Sequence, residues 1–111
     1  MKETSLFIDY MGDSPRTRVL DYLVTWHGVD FSKTDLAENA GVGRATLHRI
    51  WNDLEKNKII VHTRKIGKAK LYKLNTENEV IKKLIEIDDM LILEALRKKA
   101  KEQKKKIKVA A

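Results

Sequence analysis

The sequence predicts an α+β fold, mainly α: a three-helix core that carries a β-hairpin and runs on into a long C-terminal helix. Three observations lead there. Residues 34–57 hold two apolar-striped helical segments joined by Ala40-Gly41-Val42-Gly43. Ile59-Ile60-Val61-His62-Thr63-Arg64 and Lys70-Leu71-Tyr72-Lys73-Leu74 read as two strands flanking a turn with Gly67 at its tip. Residues 80–96 then repeat apolar side chains at helical spacing with no Pro or Gly to interrupt them.

Bulk properties bound the rest. A chain of 111 residues is long enough for one real core, and we divide it into a domain at 1–76 and a helix with a basic tail at 77–111. No apolar run reaches the ~18 residues a bilayer span needs, and Met1-Lys2-Glu3-Thr4 opens no signal peptide, so a cytoplasmic, nucleoid-associated protein with no membrane role is expected. The absence of cysteine excludes disulfides, thiolate chemistry and cysteine-ligated zinc. The net charge of +7 is unevenly spread: −3 over residues 1–40, +7 over 41–73, −4 over 74–96 and +7 over 97–111. Positive charge confined to two blocks is the footprint of a polyanion binder.

In chain order, Leu6-Phe7-Ile8 is expected as a short strand or a cover for the core. Ser14 or Asp13 caps a first helix with Pro15 in its first turn, where a missing N–H costs nothing; Val19, Leu20, Leu23, Val24 and Trp26 form its apolar face. Val29-Asp30-Phe31 is a short strand or extended link. Ser32 with Asp35 makes a capping pattern for a helix lined by Leu36, Ala37 and Ala40, which Gly41 ends in the left-handed conformation. A helix from about Arg44 to Asn57 follows, Gly43 standing at its N-cap and Leu47, Ile50, Trp51 and Leu54 on its inner side. Residues 65–69 are the hairpin turn, and Asn75-Thr76 caps the long helix.

With Leu47, Ile50, Trp51 and Leu54 inside, the helix offers Arg44, Ala45, His48, Arg49, Asn52 and Lys56 outward. These types suit a major groove: Arg reads guanine O6/N7 and Asn adenine N6/N7 in bidentate fashion, and Ala meets a thymine methyl. Thr46 and Arg44, at the helix start, can reach phosphate. The hairpin places Arg64, Lys65, Lys68 and Lys70 around Gly67, a charge density that fits the phosphate backbone or a minor groove. The pattern is a helix-turn-helix with a wing.

Those residues carry a resemblance. Asp35-Leu36-Ala37-Glu38, Gly41-Val42, Ala45-Thr46-Leu47-His48-Arg49, Leu54-Glu55, Lys58-Ile59-Ile60 and the segment from Arg64 to Tyr72 look like the winged helix-turn-helix of prokaryotic, especially archaeal, transcriptional regulators, similar to the ArsR and MarR groups. Residues 15–23 resemble the first helix of that domain, so about two thirds of the chain is covered. The resemblance implies a double-stranded DNA-binding regulator of transcription. It departs at Gly43, where many relatives place a Ser or Thr N-cap, and no contact is carried onto that position.

Val80, Leu84, Ile87 and Leu91 form a 4-3-4 stripe on the long helix, which we assign to pairing with a second copy. The expectation is thus a homodimer, a repressor for want of an activation or ligand domain, with two recognition helices about one DNA turn apart. Two rival readings stand beside it: a DNA-organising or plasmid-partition factor of low sequence preference, and a winged helix whose basic face meets an acidic protein. His27, His48 and His62 lie in separate elements, and no phosphate loop or nucleophile motif is present. No enzymatic activity, metal, cofactor or small-molecule effector is expected.

Overall fold

The computed structural model describes residues 5–110, with side chains to residue 106; Met1 to Thr4, named above for the missing signal peptide, and Ala111 lie outside the described residues. Seven elements follow one another: α1 (Leu6–Met11), α2 (Pro15–Thr25), α3 (Lys33–Ala40), α4 (Arg44–Lys56), β1 (Ile60–Ile66), β2 (Ala69–Leu74) and α5 (Glu79–Ala110). The α+β class, the hairpin and the long last helix are as the sequence predicts.

The helix starts are set by short polar side chains. Ser14 Oγ accepts from the Thr17 N–H with Pro15 at the first helical position. Ser32 and Asp35 form a reciprocal capping box at 3.1 and 3.2 Å, satisfying two N–H groups that the helix geometry orphans. Gly41 ends α3 at φ 67°, ψ 40°, and the Val42 N–H bonds back to the Ala37 carbonyl. This left-handed residue turns the chain from α3 into α4.

One core joins the helices to the hairpin: Val19, Leu23, Val24, Phe31, Leu36, Ala37, Leu47, Trp51, Leu54, Ile60, Leu74 and Ile81 are all buried. Several boundaries depart from the sequence reading, each for a physical reason. Leu6-Phe7-Ile8 is helical, not a strand, because Ser5 caps it and Phe7 and Ile8 bury one side. Trp26 is 55 % exposed; it stands at the C-cap of α2, where the helical phase that aims Leu23 inward has already ended. The hairpin turn narrows from five residues to Gly67-Lys68, since Ile66 pairs with Ala69, and Gly67 has the positive φ (59°) that the first position of a tight hairpin turn requires. The long helix starts at Glu79, with Asn78 Oδ1 accepting from the Val80 N–H. Asn75, expected at its cap, instead donates to the Lys58 carbonyl at 2.9 Å, and Asn78 reaches the same carbonyl at 3.1 Å. The two amides fasten the start of α5 to the end of α4.

The inner part of α5 packs on the domain through buried Ile81 and half-buried Leu84 and Ile85. At ~1.5 Å per residue its 32 residues run about 48 Å. The molecule measures 62 × 32 × 25 Å, so the helix projects well past the core.

Half-buried Asp88 lies on α5 within electrostatic reach of Asp21 on α2 and of His27 in the turn after it, and beside Asp89. Burial, then the Asp21 and Asp89 carboxylates, push its pKa up, while His27 pulls the other way. A carboxyl whose folded pKa is raised destabilises the fold when ionised, and that cost fades as the pH falls towards its unfolded value of 3.8. Asp88→Asn is therefore expected to raise the melting temperature at pH 7, with a gain that shrinks towards pH 4. Melting curves at several pH values check this; a gain of constant size would assign the effect to packing rather than charge.

Candidate nucleic-acid interface

The geometry between α4 and the hairpin begins with Trp51. Its indole is buried beneath α4 and meets the Tyr72 ring of β2 edge-on, centroids 4.9 Å apart at 84°. Tyr72 in turn meets His62 of β1 at 5.4 Å. The Tyr72 backbone also exchanges two hydrogen bonds with Phe31, at 2.7 and 2.8 Å, so the extended link before α3 adds a one-residue third strand. These contacts fix the angle between the wing and α4.

On α4, Arg44, Ala45, His48, Arg49 and Asn52 are exposed, as their helical phase predicts, while Thr46 is half-buried. The Thr46 hydroxyl accepts from the Arg49 guanidinium at 3.3 Å, orienting that side chain along the outer face. Gly43 gives α4 no side-chain cap, leaving the N–H groups of its first turn without that partner. Lys56 is also exposed, at the far end of the helix.

The wing divides its four predicted residues. Lys65 is paired directly across from Lys70, and Lys68 stands at the tip. Like charges opposite one another on a hairpin cost stability unless something answers them, and among the described residues neither lysine has an acidic partner. Arg64 is different. The register breaks between His62 and Arg64, and the Arg64 Nε donates to Asp30 Oδ2 at 2.8 Å. The Thr63 hydroxyl, at the break, lies 3.4 Å from the same oxygen. The guanidinium bond, together with its charge, holds the Asp30 carboxyl below the usual carboxylate range. Arg64 thus anchors the base of the wing to the link before α3, and the tip charge belongs to Lys65, Lys68 and Lys70.

Two residues were missed by the sequence reading. Lys33 and Thr34, at the start of α3, line one cleft with Arg44, Ala45 and His48, and a second with Lys68, Ala69 and Lys70. The Lys33 Nζ sits 4.7 Å from the Trp51 ring centroid, a cation–π contact that holds it between helix and wing. The signal was available in Lys33 beginning a capped helix, but the sequence does not reveal which face of α3 lies beside the wing. Together α3, α4 and the wing form one basic concave surface.

The fold is that of the winged helix-turn-helix regulators. The chain is similar to MepR, a transcription regulator of the Staphylococcus aureus multidrug efflux pump MepA, at a TM-score of 0.59 and 16% identity, over 92% of this chain and 76% of that one. The S. aureus MepR–DNA complex gives a TM-score of 0.59 at 16% identity over 95% and 84% of the two chains. NolR from Sinorhizobium fredii gives 0.54 at 16% identity over 78% and 92%. No protein-family profile matches the sequence, and no curated protein matches it. Among the described residues, no helix is long and apolar enough to cross a membrane.

The four predicted pairing residues of α5 differ in setting. Val80 is 73 % exposed and Ile87 39 %. Leu91 is half-buried, and Leu84 is half-buried against the chain's own core. The stripe runs along the edge of the packed face.

Proposed function

We propose that this protein is a double-stranded DNA-binding regulator of transcription, acting as a homodimeric repressor with α4 in the major groove and the wing on the backbone. The observation that carries the reading is the concave surface on which Lys33, Arg44, Lys65, Lys68 and Lys70 gather without an acidic partner among the described residues. Uncompensated charge held on a rigid frame calls for a polyanion, and the exposed Arg49 and Asn52 beside it are base-reading types. Support comes also from the likeness to MepR, which has been solved with DNA. In this assignment Arg44, Ala45, Thr46, His48, Arg49 and Asn52 serve the groove, and Lys65, Lys68 and Lys70 the phosphates. Arg64 positions the wing and presents its remaining donors to the backbone. No catalytic role is assigned.

Salt dependence tests this. Each phosphate contact contributes ~0.9 to the slope of log K against log salt. Replacing Lys65, Lys68 and Lys70 together by Ala is expected to flatten the slope by ~3 per protomer on any duplex. No binding of mixed duplex DNA at ~50 mM salt would overturn the proposal in favour of an acidic protein partner, since phosphate contacts are strongest there. Footprinting then separates a bounded operator from the spreading protection of a DNA-organising protein.

A further inference from the structure

The net charge of α5 changes sign along its length. From Glu79 to Leu96 the helix carries five carboxylates against two lysines, and both lysines are paired, Lys82 to Glu79 and Lys83 to Glu86, at 3.3 Å each. From Arg97 to Lys106 it carries seven Lys/Arg against Glu102 alone. This outer stretch is helical throughout and all of its side chains are exposed. Among the described residues none of its charges makes an ion pair. The surface formed by α3, α4 and the wing makes no use of it.

We propose that this outer stretch is a second duplex-binding surface, blind to sequence, by which a protein seated on DNA through α4 and the wing holds a second duplex segment. The bridge rests on the DNA reading of α4, whereas phosphate binding by the outer stretch does not. Arg97, Lys98, Lys101, Lys104 and Lys105 recur at spacings of three and four, so they share one side of the helix. From Arg97 to Lys105 that row runs about 12 Å. Duplex DNA carries one negative charge per ~1.7 Å of its axis, about seven over the same length. The row is therefore close in charge density to the backbone it would lie against. With four lysines, one arginine and no Asn or Gln among them, it is fitted to phosphates rather than base edges. An anionic membrane is a poorer match, because Ala100 is the one apolar residue between 97 and 106 and no aromatic accompanies it. The row also stands apart from α4. Asn75 and Asn78 fasten the start of α5 to the end of α4, and Arg97 lies ~27 Å further along the helix. The screening length at physiological salt is only ~8 Å, and the stretch between is acidic.

The test fixes one mixed-sequence duplex on beads and adds a second, fluorescently labelled duplex at ~50 mM salt, where phosphate contacts are strongest. The comparison protein carries Arg97→Gln, Lys98→Gln, Lys101→Gln, Lys104→Gln and Lys105→Gln together; Gln has a helix propensity close to that of Lys and Arg, and circular dichroism confirms that α5 is kept. The unsubstituted protein is expected to carry label onto the beads. The five-Gln protein is expected to load onto the beads and carry at least ~10-fold less label. Equal capture by both proteins would overturn the proposal, because the second duplex would then be held by a second α4 surface. No capture by the unsubstituted protein, once loaded, would overturn it as well. A five-Gln protein that fails to load at all, beside an unsubstituted protein that loads, would remove α4 from DNA and with it the bridge, while keeping the outer stretch as a duplex site. Tighter binding of the unsubstituted protein to phosphatidylserine vesicles than to duplex, lost in the five-Gln protein, would reassign the row to a membrane surface.

Discussion

Leu54→Ala is expected to cost about 2–5 kcal/mol of folding stability, the range for truncating a fully buried leucine. Leu54 is 0 % exposed and lies in the core shared by α2, α3, α4 and the hairpin. Its carbonyl also accepts the Ile59 N–H at 2.9 Å, where α4 hands over to β1. Domains of this size are stable by ~5–15 kcal/mol, so the loss consumes a large share of the total. Urea denaturation checks it through a lowered midpoint with an unchanged slope. Ile66→Ala on the wing is the control: that side chain is 55 % exposed, and the expected change is within ~0.5 kcal/mol. Equal losses at the two positions would show that α4 does not organise the core.

The elements most legible in the sequence were those whose chemistry is local. Ser14-Pro15, Ser32 with Asp35, and Gly41 each announce a helix end through their own backbone and side-chain preferences, and each does what its type predicts. The inner face of α4 was legible because its apolar spacing admits only one phase. What escaped depended on long-range contact. Leu6-Phe7-Ile8 is too short for periodicity to distinguish strand from helix. Arg64 reads as a wing-tip charge until Asp30, 34 residues earlier, is seen beside it. Lys33 shows in the sequence only as the start of a capped helix, and joins the interface because Trp51 and the wing flank it. Asn75 reads as the cap of the long helix, yet Asn78 starts α5 while both amides hold the Lys58 carbonyl.

Arg49→Ala is expected to weaken binding to a specific operator by ~1–3 kcal/mol, roughly 5- to 150-fold, while leaving stability nearly unchanged. The reasoning rests on three features of the site. Arg49 lies mid-helix on the exposed face of α4, away from the first turn where phosphate contacts concentrate. Its guanidinium bonds only the Thr46 hydroxyl among the described groups, at 3.3 Å, leaving donors free for a bidentate fork on guanine. Among the described residues it has no carboxylate partner, unlike Arg16 of α2, whose guanidinium meets Asp53 of α4 at 3.3 Å. A base-reading arginine and a phosphate-binding one then differ in a measurable way. Loss of a base contact lowers affinity for the operator and spares random duplex, relaxing preference at one position of the site. Loss of a phosphate contact lowers both equally and flattens the salt slope by ~0.9. Competition binding against operator and random duplex at two salt concentrations separates them. An equal loss on both sequences would move Arg49 to the backbone and leave Asn52 and His48 to carry recognition; no loss on either would take α4 out of the groove.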